Sequence, residues 1–138
     1  MSGLTVLSLC DGIATGRLAL EKAGLEVAQY FASEIDKNAI HVAKNNYPDI
    51  IQLGDVNKIN FEIFTGNIDL LIGGTPCQDL SIAMQNRKGL KGSKSSLFFK
   101  FVEALEIVQP KYFLFENVAS MKDADKQVID SLLGGVVL

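Results

Sequence analysis

Five short apolar runs recur along this chain and constrain its fold more than any other feature: Leu4–Leu9, Val27–Ala32, Ile50–Leu53, Asp69–Ile72 and Tyr112–Phe115. Segments with helical spacing lie between most of them. Strands that alternate with helices are best satisfied by a parallel sheet whose crossover helices lie on both faces. The runs are nearly continuous in Val, Ile, Leu and Phe, as strands covered on both sides must be. The punctuation agrees. Gly24 closes a helix that offers Leu18, Leu20 and Ala23 for packing. Asp36 caps a second helix running to about Asn45, with Pro48 beyond it. A weak helix is expected from about Asn60 to Phe64. Ser95 or Ser96 opens a helix to Gln109, with Leu97, Phe98, Phe101, Val102, Leu105 and Val108 as its buried stripe and Pro110 as its stop. Ser120-Met121-Lys122-Asp123 opens a last helix with Val128, Ile129, Leu132 and Leu133 on its apolar face, and Val136-Val137-Leu138 begins a sixth strand. The expectation is one α/β domain over residues 1–138, built as a doubly wound, mostly parallel sheet.

The polar residues fall where such a sheet would use them. Asp11, Glu34, Asp55, Cys77 and Glu116 each follow closely on one of the five runs. In a parallel sheet those ends share one edge, the edge where open α/β sheets bind ligands. The turn after the first run carries Gly12 and Gly16. Their spacing is GxxxG, not the GxGxxG of a dinucleotide site, so a nicotinamide cofactor is poorly supported. Glu34 suits a ribose diol, because a carboxylate accepts from two hydroxyls and repels a phosphate. Asp55 suits an adenine amino group. Together they favour an adenosine without a pyrophosphate. Gly89–Ser95 fails the spacing of a P-loop and does not follow a strand. Gly73 and Gly74 let the chain turn sharply at the end of the fourth run, and Pro76 stiffens the turn that presents Cys77. From this stretch alone Cys77 reads equally well as a small buried hydrophobe and as a nucleophile.

Composition removes several classes. With 48% hydrophobic and 21% charged residues the chain is of ordinary globular type. No apolar run approaches the length of a membrane helix, and the N-terminus lacks the pattern of a signal peptide, so a cytoplasmic setting is expected. Two cysteines, Cys10 and Cys77, and a lone histidine, His41, make no zinc pattern, and no metal is expected. His41 lies in a helix and reads as a solvated position. The net charge is −3, yet from Asp79 to Ser96 four cations, Arg87, Lys88, Lys91 and Lys94, face a single acid. This basic, Gly- and Ser-rich segment reads as a loop able to meet phosphate.

Gly74-Thr75-Pro76-Cys77-Gln78 and Phe115-Glu116-Asn117-Val118, in this order and spacing, resemble the Pro-Cys and Glu-Asn-Val motifs of DNA cytosine-5 methyltransferases. Leu9-Cys10-Asp11-Gly12-Ile13-Ala14-Thr15-Gly16 resembles their S-adenosylmethionine loop. The wording of that loop, with Asp79-Leu80-Ser81 and Arg87-Lys88-Gly89-Leu90, is most similar to the animal de novo branch. The resemblance spans essentially the whole chain and implies a Rossmann-like S-adenosylmethionine-dependent fold without its C-terminal strands.

It also implies chemistry. Cys77, presented by Pro76, adds to C6 of cytosine and makes C5 nucleophilic. Glu116 donates towards N3, which asks for a proton on its carboxyl that burial would favour. Asn117 orients the neighbouring backbone. No dedicated base for the C5 proton is evident. Asp11, Gly12, Ile13, Ala14, Thr15 and Gly16 would hold the methionine end of S-adenosylmethionine, Glu34 its ribose and Asp55 its adenine amino group. Ile35 and Val56 would pack the adenine faces, with Gly74 and Pro76 lining the pocket. Cys10 stands where the family usually has Phe. The implied partner is DNA with a flipped-out cytosine, contacted by Ser81, Arg87, Lys88, Lys91 and Lys94. The product cofactor would be S-adenosylhomocysteine. The family's target-recognition region is not represented, so three other readings stay open. One is a half-enzyme completed by a second chain, one a non-catalytic cofactor-binding subunit, and one a cytosine-5 RNA methyltransferase.

Overall fold

The computed structural model describes residues 3–74 and 97–116. They form five parallel strands in the order β3-β2-β1-β4-β5. The strands are β1 Leu4–Leu9, β2 Val27–Ser33, β3 Ile51–Gln52, β4 Leu70–Gly74 and β5 Tyr112–Glu116. The helices are α1 Thr15–Lys22, α2 Lys37–Asn46 and α3 Leu97–Val108, with single 3₁₀ turns at Val56–Lys58 and Phe61–Phe64. This is the expected doubly wound α/β sheet. The chain works outward from β1 to β3, returns to β4, and continues outward on the other side. The switch point lies between β1 and β4, and the region beyond the strand ends there is where open sheets of this kind bind ligands.

Reversing the direction of travel while keeping a right-handed crossover puts the helices of the two halves on opposite faces. The core divides accordingly. Val6, Tyr30, Ala32 and Ile72 pack with Ala14, Leu20, Ala43 and Ile50 on the α1 and α2 side. Leu7, Leu9 and Leu71 pack with Phe98, Phe101, Val102 and Val108 of α3, and with Phe61 and Phe64, on the other. Neighbours in β1 thus serve different layers, as the period of a strand requires. Phe98 and Phe101 are fully buried and meet the rings of Phe113 and Phe115. Gly73 makes this fit: a Cβ there would stand 2.2 Å from Cδ2 of Phe101.

Local chemistry ends the helices where the sequence indicates. The Asp36 side chain accepts from the backbone N–H groups of Asn38 and Ala39. Gly24 takes a left-handed φ of 76° just past α1. The third strand is shorter than expected, Ile51–Gln52, because Ile50 turns into the core and Gly54 adopts a φ of 81°. The weak helix is a 3₁₀ turn capped by Asn60. The stripe of α3 is as expected at Phe98, Phe101, Val102 and Val108, with Ala104 added and Leu97 and Leu105 only partly covered. The expected last helix and sixth strand lie outside the described residues.

At the edge opposite these strand ends one carboxylate joins three strands. Asp69 Oδ2 accepts from the Thr5 N–H at 2.9 Å, and its Oδ1 meets Lys111 Nζ at 3.1 Å. The Asp69 N–H donates to the Thr5 carbonyl, and the Tyr112 N–H donates to the Asp69 carbonyl. These contacts hold the Asp69 carboxyl below the usual carboxylate range, the Thr5 N–H foremost and Lys111 next.

Candidate cofactor and catalytic site

The site is assembled from strand ends. Beyond β1 the chain takes left-handed geometry at Cys10, Gly12 and Ala14, with φ of 55°, 65° and 70°. This folds Asp11–Gly16 into a tight turn. The Asp11 N–H donates to the Ser33 carbonyl at 2.9 Å, which ties the turn to the end of β2. Helix α1 starts from Ala14 without a side-chain cap. Ala14 is buried, while Ile13 and Thr15 are exposed.

Glu34 follows directly on β2 and binds the turn. Its Oε1 accepts from the Gly12 N–H at 2.8 Å, and its Oε2 accepts from the N–H groups of Ile35 and Asp36, both at 2.9 Å. A carboxylate offers about four acceptor positions, so roughly one remains open. A ribose diol seeking both oxygens therefore has to displace one backbone donor. The Gly12 N–H, on the flexible glycine of the turn, is the one donor of the three that comes from another segment. Ile35 is 72% exposed beside it.

The third strand end is held to the second by Gln52, whose Oε1 accepts from the N–H groups of Glu34 and Gly54. The Ser33 hydroxyl donates to the Gly54 carbonyl at 2.8 Å. Asp55 and Val56 thereby stand next to Glu34 and Ile35. Asp55 uses one oxygen, Oδ1, to cap the Asn57 N–H, and its Oδ2 has no hydrogen-bond partner among the described residues. Val56 is almost wholly enclosed in the core, whereas the neighbouring Ile35 is exposed.

Across the switch point, Gly74 on β4 pairs with Glu116 on β5. Glu116 Oε2 lies 3.5 Å from where a Cβ of Gly74 would stand, so the carboxylate rests over the end of β4. Glu116 is exposed, and the burial expected to favour a proton on it is not provided by the described residues. Pro76, Cys77, Ser81, Arg87, Lys88, Lys91, Lys94 and Asn117 lie outside the described residues. The structure thus gathers Asp11–Gly16, Glu34, Ile35, Asp55, Val56, Gly74 and Glu116 along one sheet edge.

Ser8, Tyr30 and Gln52 belong to this site and are not evident as site residues in the sequence. The Tyr30 hydroxyl donates to Asp11 Oδ1 at 2.6 Å, and the Ser8 hydroxyl donates to the same oxygen at 2.7 Å. Asp11 Oδ2 is buried and has no hydrogen-bond partner among the described residues. Burial pushes the Asp11 carboxyl up, the Tyr30 and Ser8 hydrogen bonds partly oppose this, and the charge of Glu34 adds to the rise. Burial, then the charge of Asp11, pushes the Tyr30 phenol well up, so it remains a donor. A tyrosine inside a buried run was the available signal, since a buried phenol needs a partner. Among the described residues no group of three or more His, Cys, Asp and Glu side chains is placed to hold a metal ion. No helix among them is long and apolar enough to cross a membrane.

A family model of C-5 cytosine-specific DNA methylases matches residues 4–133. The chain belongs to this family. Its fold is accordingly the Rossmann-like sheet of S-adenosylmethionine-dependent methyltransferases. The chain is 41% identical over 128 residues to the orphan methyltransferase M.Rho11sI of Bacillus phage rho11s, covering 91% of this chain and 25% of that protein. It is 41% identical over 128 residues to the orphan methyltransferase M.SPRI of Bacillus phage SPR, covering 91% and 29%. Against the Type II methyltransferase M.NgoPII of Neisseria gonorrhoeae it is 40% identical over 119 residues, covering 86% and 34%. The chain thus spans a quarter to a third of the length of these relatives. The family match includes the positions of Pro76, Cys77 and Asn117.

Proposed function

We propose that this chain is the cofactor-binding and catalytic part of a DNA cytosine-5 methyltransferase. The observation that carries the reading is the register of β4 and β5. It sets Glu116 against Gly74, three residues before Cys77, at the same sheet edge as Glu34 and Asp55. An acceptor set for a nucleoside and the Glu116 carboxylate then share the sheet edge from which the chain continues towards Cys77.

The residues present fit S-adenosylmethionine. Glu34 keeps an acceptor position for a ribose hydroxyl, Asp55 Oδ2 for the adenine amino group, and Asp11 Oδ2 for the amino-acid end. When bound, S-adenosylmethionine supplies the electrophilic methyl group. The work of the chain is to make cytosine C5 able to take it. Cys77 adds as a thiolate to C6, which turns the ring into an enamine. Glu116 stabilises the charge that develops at N3 by sharing a proton there, once the bound base covers its exposed carboxyl. Asn117 fixes the adjoining backbone. Loss of the C5 proton, with water as acceptor, is followed by elimination of Cys77. Arg87, Lys88, Lys91 and Lys94, with Ser81, contact the backbone of a DNA whose target base is turned out of the stack. The likeness to the animal de novo branch rests on the wording of the motifs, whereas the relatives above come from phages and a bacterium.

The test is covalent trapping on duplex DNA carrying 5-fluorocytosine, in which the C5 substituent cannot leave. It is run on the 138-residue chain and on that chain joined to the C-terminal part of one of its relatives. The expected adduct requires both S-adenosylmethionine and Cys77 and is lost in Cys77→Ser. An adduct with RNA alone would replace DNA as the substrate. No adduct with either nucleic acid in either form would refute catalysis and leave a cofactor-binding subunit.

A further inference from the structure

Tyr30 is fully buried on β2, opposite Val6 of β1, on the face covered by α1. Its hydroxyl reaches Asp11 Oδ1 at 2.6 Å. The path is narrow. A Cβ on residue 16 would stand 3.3 Å from that hydroxyl and 3.3 Å from Ile72 Cδ1, so Gly16 leaves the phenol its room. Ser8 donates to the same oxygen from β1 at 2.7 Å. Two donors therefore serve Oδ1, while Oδ2 is buried with no hydrogen-bond partner among the described residues. For architecture alone this is a poor arrangement, because a buried acceptor without a donor costs free energy. It is a sound one if a ligand brings the missing donor.

We propose that Tyr30 is a positioning residue of the cofactor turn, fixing the Asp11 carboxylate so that Oδ2 is kept as an acceptor for the amino-acid end of the ligand. The inference rests on the cofactor reading above and adds to it a residue outside the turn. Tyr30 acts through Asp11 and does not itself touch the ligand.

The groups around Asp11 give the proposal a pH signature. They are Ser8 from β1, Tyr30 from β2, Glu34 beyond β2, the neighbouring Cys10, and Arg17 of α1, whose guanidinium lies 5.5 Å from the centre of the Tyr30 ring. Burial and Glu34 favour the protonated acid, and the two hydroxyls favour the carboxylate. Removing the Tyr30 hydroxyl therefore lets Asp11 take up a proton at higher pH. Ionised Asp11 is the form that accepts from the ligand.

The experiment measures S-adenosylhomocysteine binding by calorimetry from about pH 5.5 to about pH 8.5 on the chain and on Tyr30→Phe, with Ser8→Ala as a second variant that leaves every ring in place. Carbon-13 spectra of the Asp11 carboxyl, assigned by its loss in Asp11→Asn, follow the same titration without ligand. Tyr30→Phe is expected to bind roughly tenfold more weakly at the acid end and within about twofold at the alkaline end. The Asp11 titration should move to higher pH, and Ser8→Ala should move it in the same direction. A uniform loss of affinity at every pH, or an Asp11 titration that does not move in either variant, would overturn the proposal and leave the cofactor reading standing. No binding of S-adenosylhomocysteine by the unaltered chain would overturn the cofactor reading and this inference with it.

Discussion

Gly73 offers the sharpest test of how the fold supports the site. Replacing it by alanine puts a Cβ 2.2 Å from Cδ2, 2.6 Å from Cε2 and 3.2 Å from Cγ of Phe101. Ordinary contact begins at about 3.4 Å, so the ring has to retreat by more than 1 Å. It has nowhere to go. Phe101 has no exposed surface, and the rings of Phe113 and Phe115 stand 6.4 and 5.1 Å away, centre to centre. Either α3 shifts off the sheet or the Phe101 side chain leaves its rotamer. Overpacking of this kind costs about 1–3 kcal/mol and occasionally more. A clash with an enclosed ring belongs at the upper end, so a loss of about 3 kcal/mol is expected. With a urea dependence of about 1–3 kcal/mol per molar, the unfolding midpoint falls by at least about 1 M. A second variant separates the clash from other causes. Phe101→Leu frees space at the cost of a partial cavity, and Gly73→Ala added to it should cost less than Gly73→Ala alone, with a coupling of about 1–3 kcal/mol. If Gly73→Ala changes stability by less than about 0.5 kcal/mol, or the two changes simply add, the packing argument fails.

Two smaller perturbations follow from the same structure. Asp36→Ala removes the cap that receives the Asn38 and Ala39 N–H groups and should cost about 1 kcal/mol in chemical denaturation, with Asp36→Asn nearly neutral. Asp69→Asn tests linkage. A carboxyl whose pKa is depressed on folding contributes stability above its ordinary value near 3.8, and that contribution is lost as pH falls through the lower folded value. The variant should therefore be less stable than the parent at neutral pH, by about 1 kcal/mol for a partly exposed charged hydrogen bond, and the difference should shrink progressively as the pH is taken below the ordinary carboxylate value. A difference that persists unchanged into acid would show that Asp69 acts through something other than its charge.

The layout of the sheet was open to sequence reasoning because it depends on local signals that agree. Continuous apolar runs, Asp36 as a cap and Gly24 as a stop each point to the same element order. The ends of the runs also placed Glu34 and Asp55 at one sheet edge, since a polar residue after a buried parallel strand falls there. What sequence could not convey was contact across strands. Tyr30 meets Asp11 only because β1 and β2 pair in a register that faces Tyr30 with Val6, and nothing local encodes that pairing. The engagement of Glu34 by the Gly12 N–H, beside its two local backbone donors, depends in the same way on how the turn after β1 folds back. Val56 was expected at the adenine, yet most of its side chain is enclosed by the core, because the 3₁₀ turn it begins lies against α3 and the aromatic layer.

The Asp69 cluster sits at the wrong end of the sheet to touch any substrate, and its consequence is one of measurement. Strands are stiff rulers, rising about 3.3 Å per residue. By fixing where β1, β4 and β5 begin, Asp69 fixes how far each protrudes at the other end, some 17 Å away at that rise. A slip of a single residue at that edge would lengthen or shorten one strand by a whole step and turn its side chains to the opposite face. Glu116 would then no longer lie over Gly74. The placement of Glu116 over the end of β4 is in that sense set from the far side of the sheet, by a residue that lies nowhere near it.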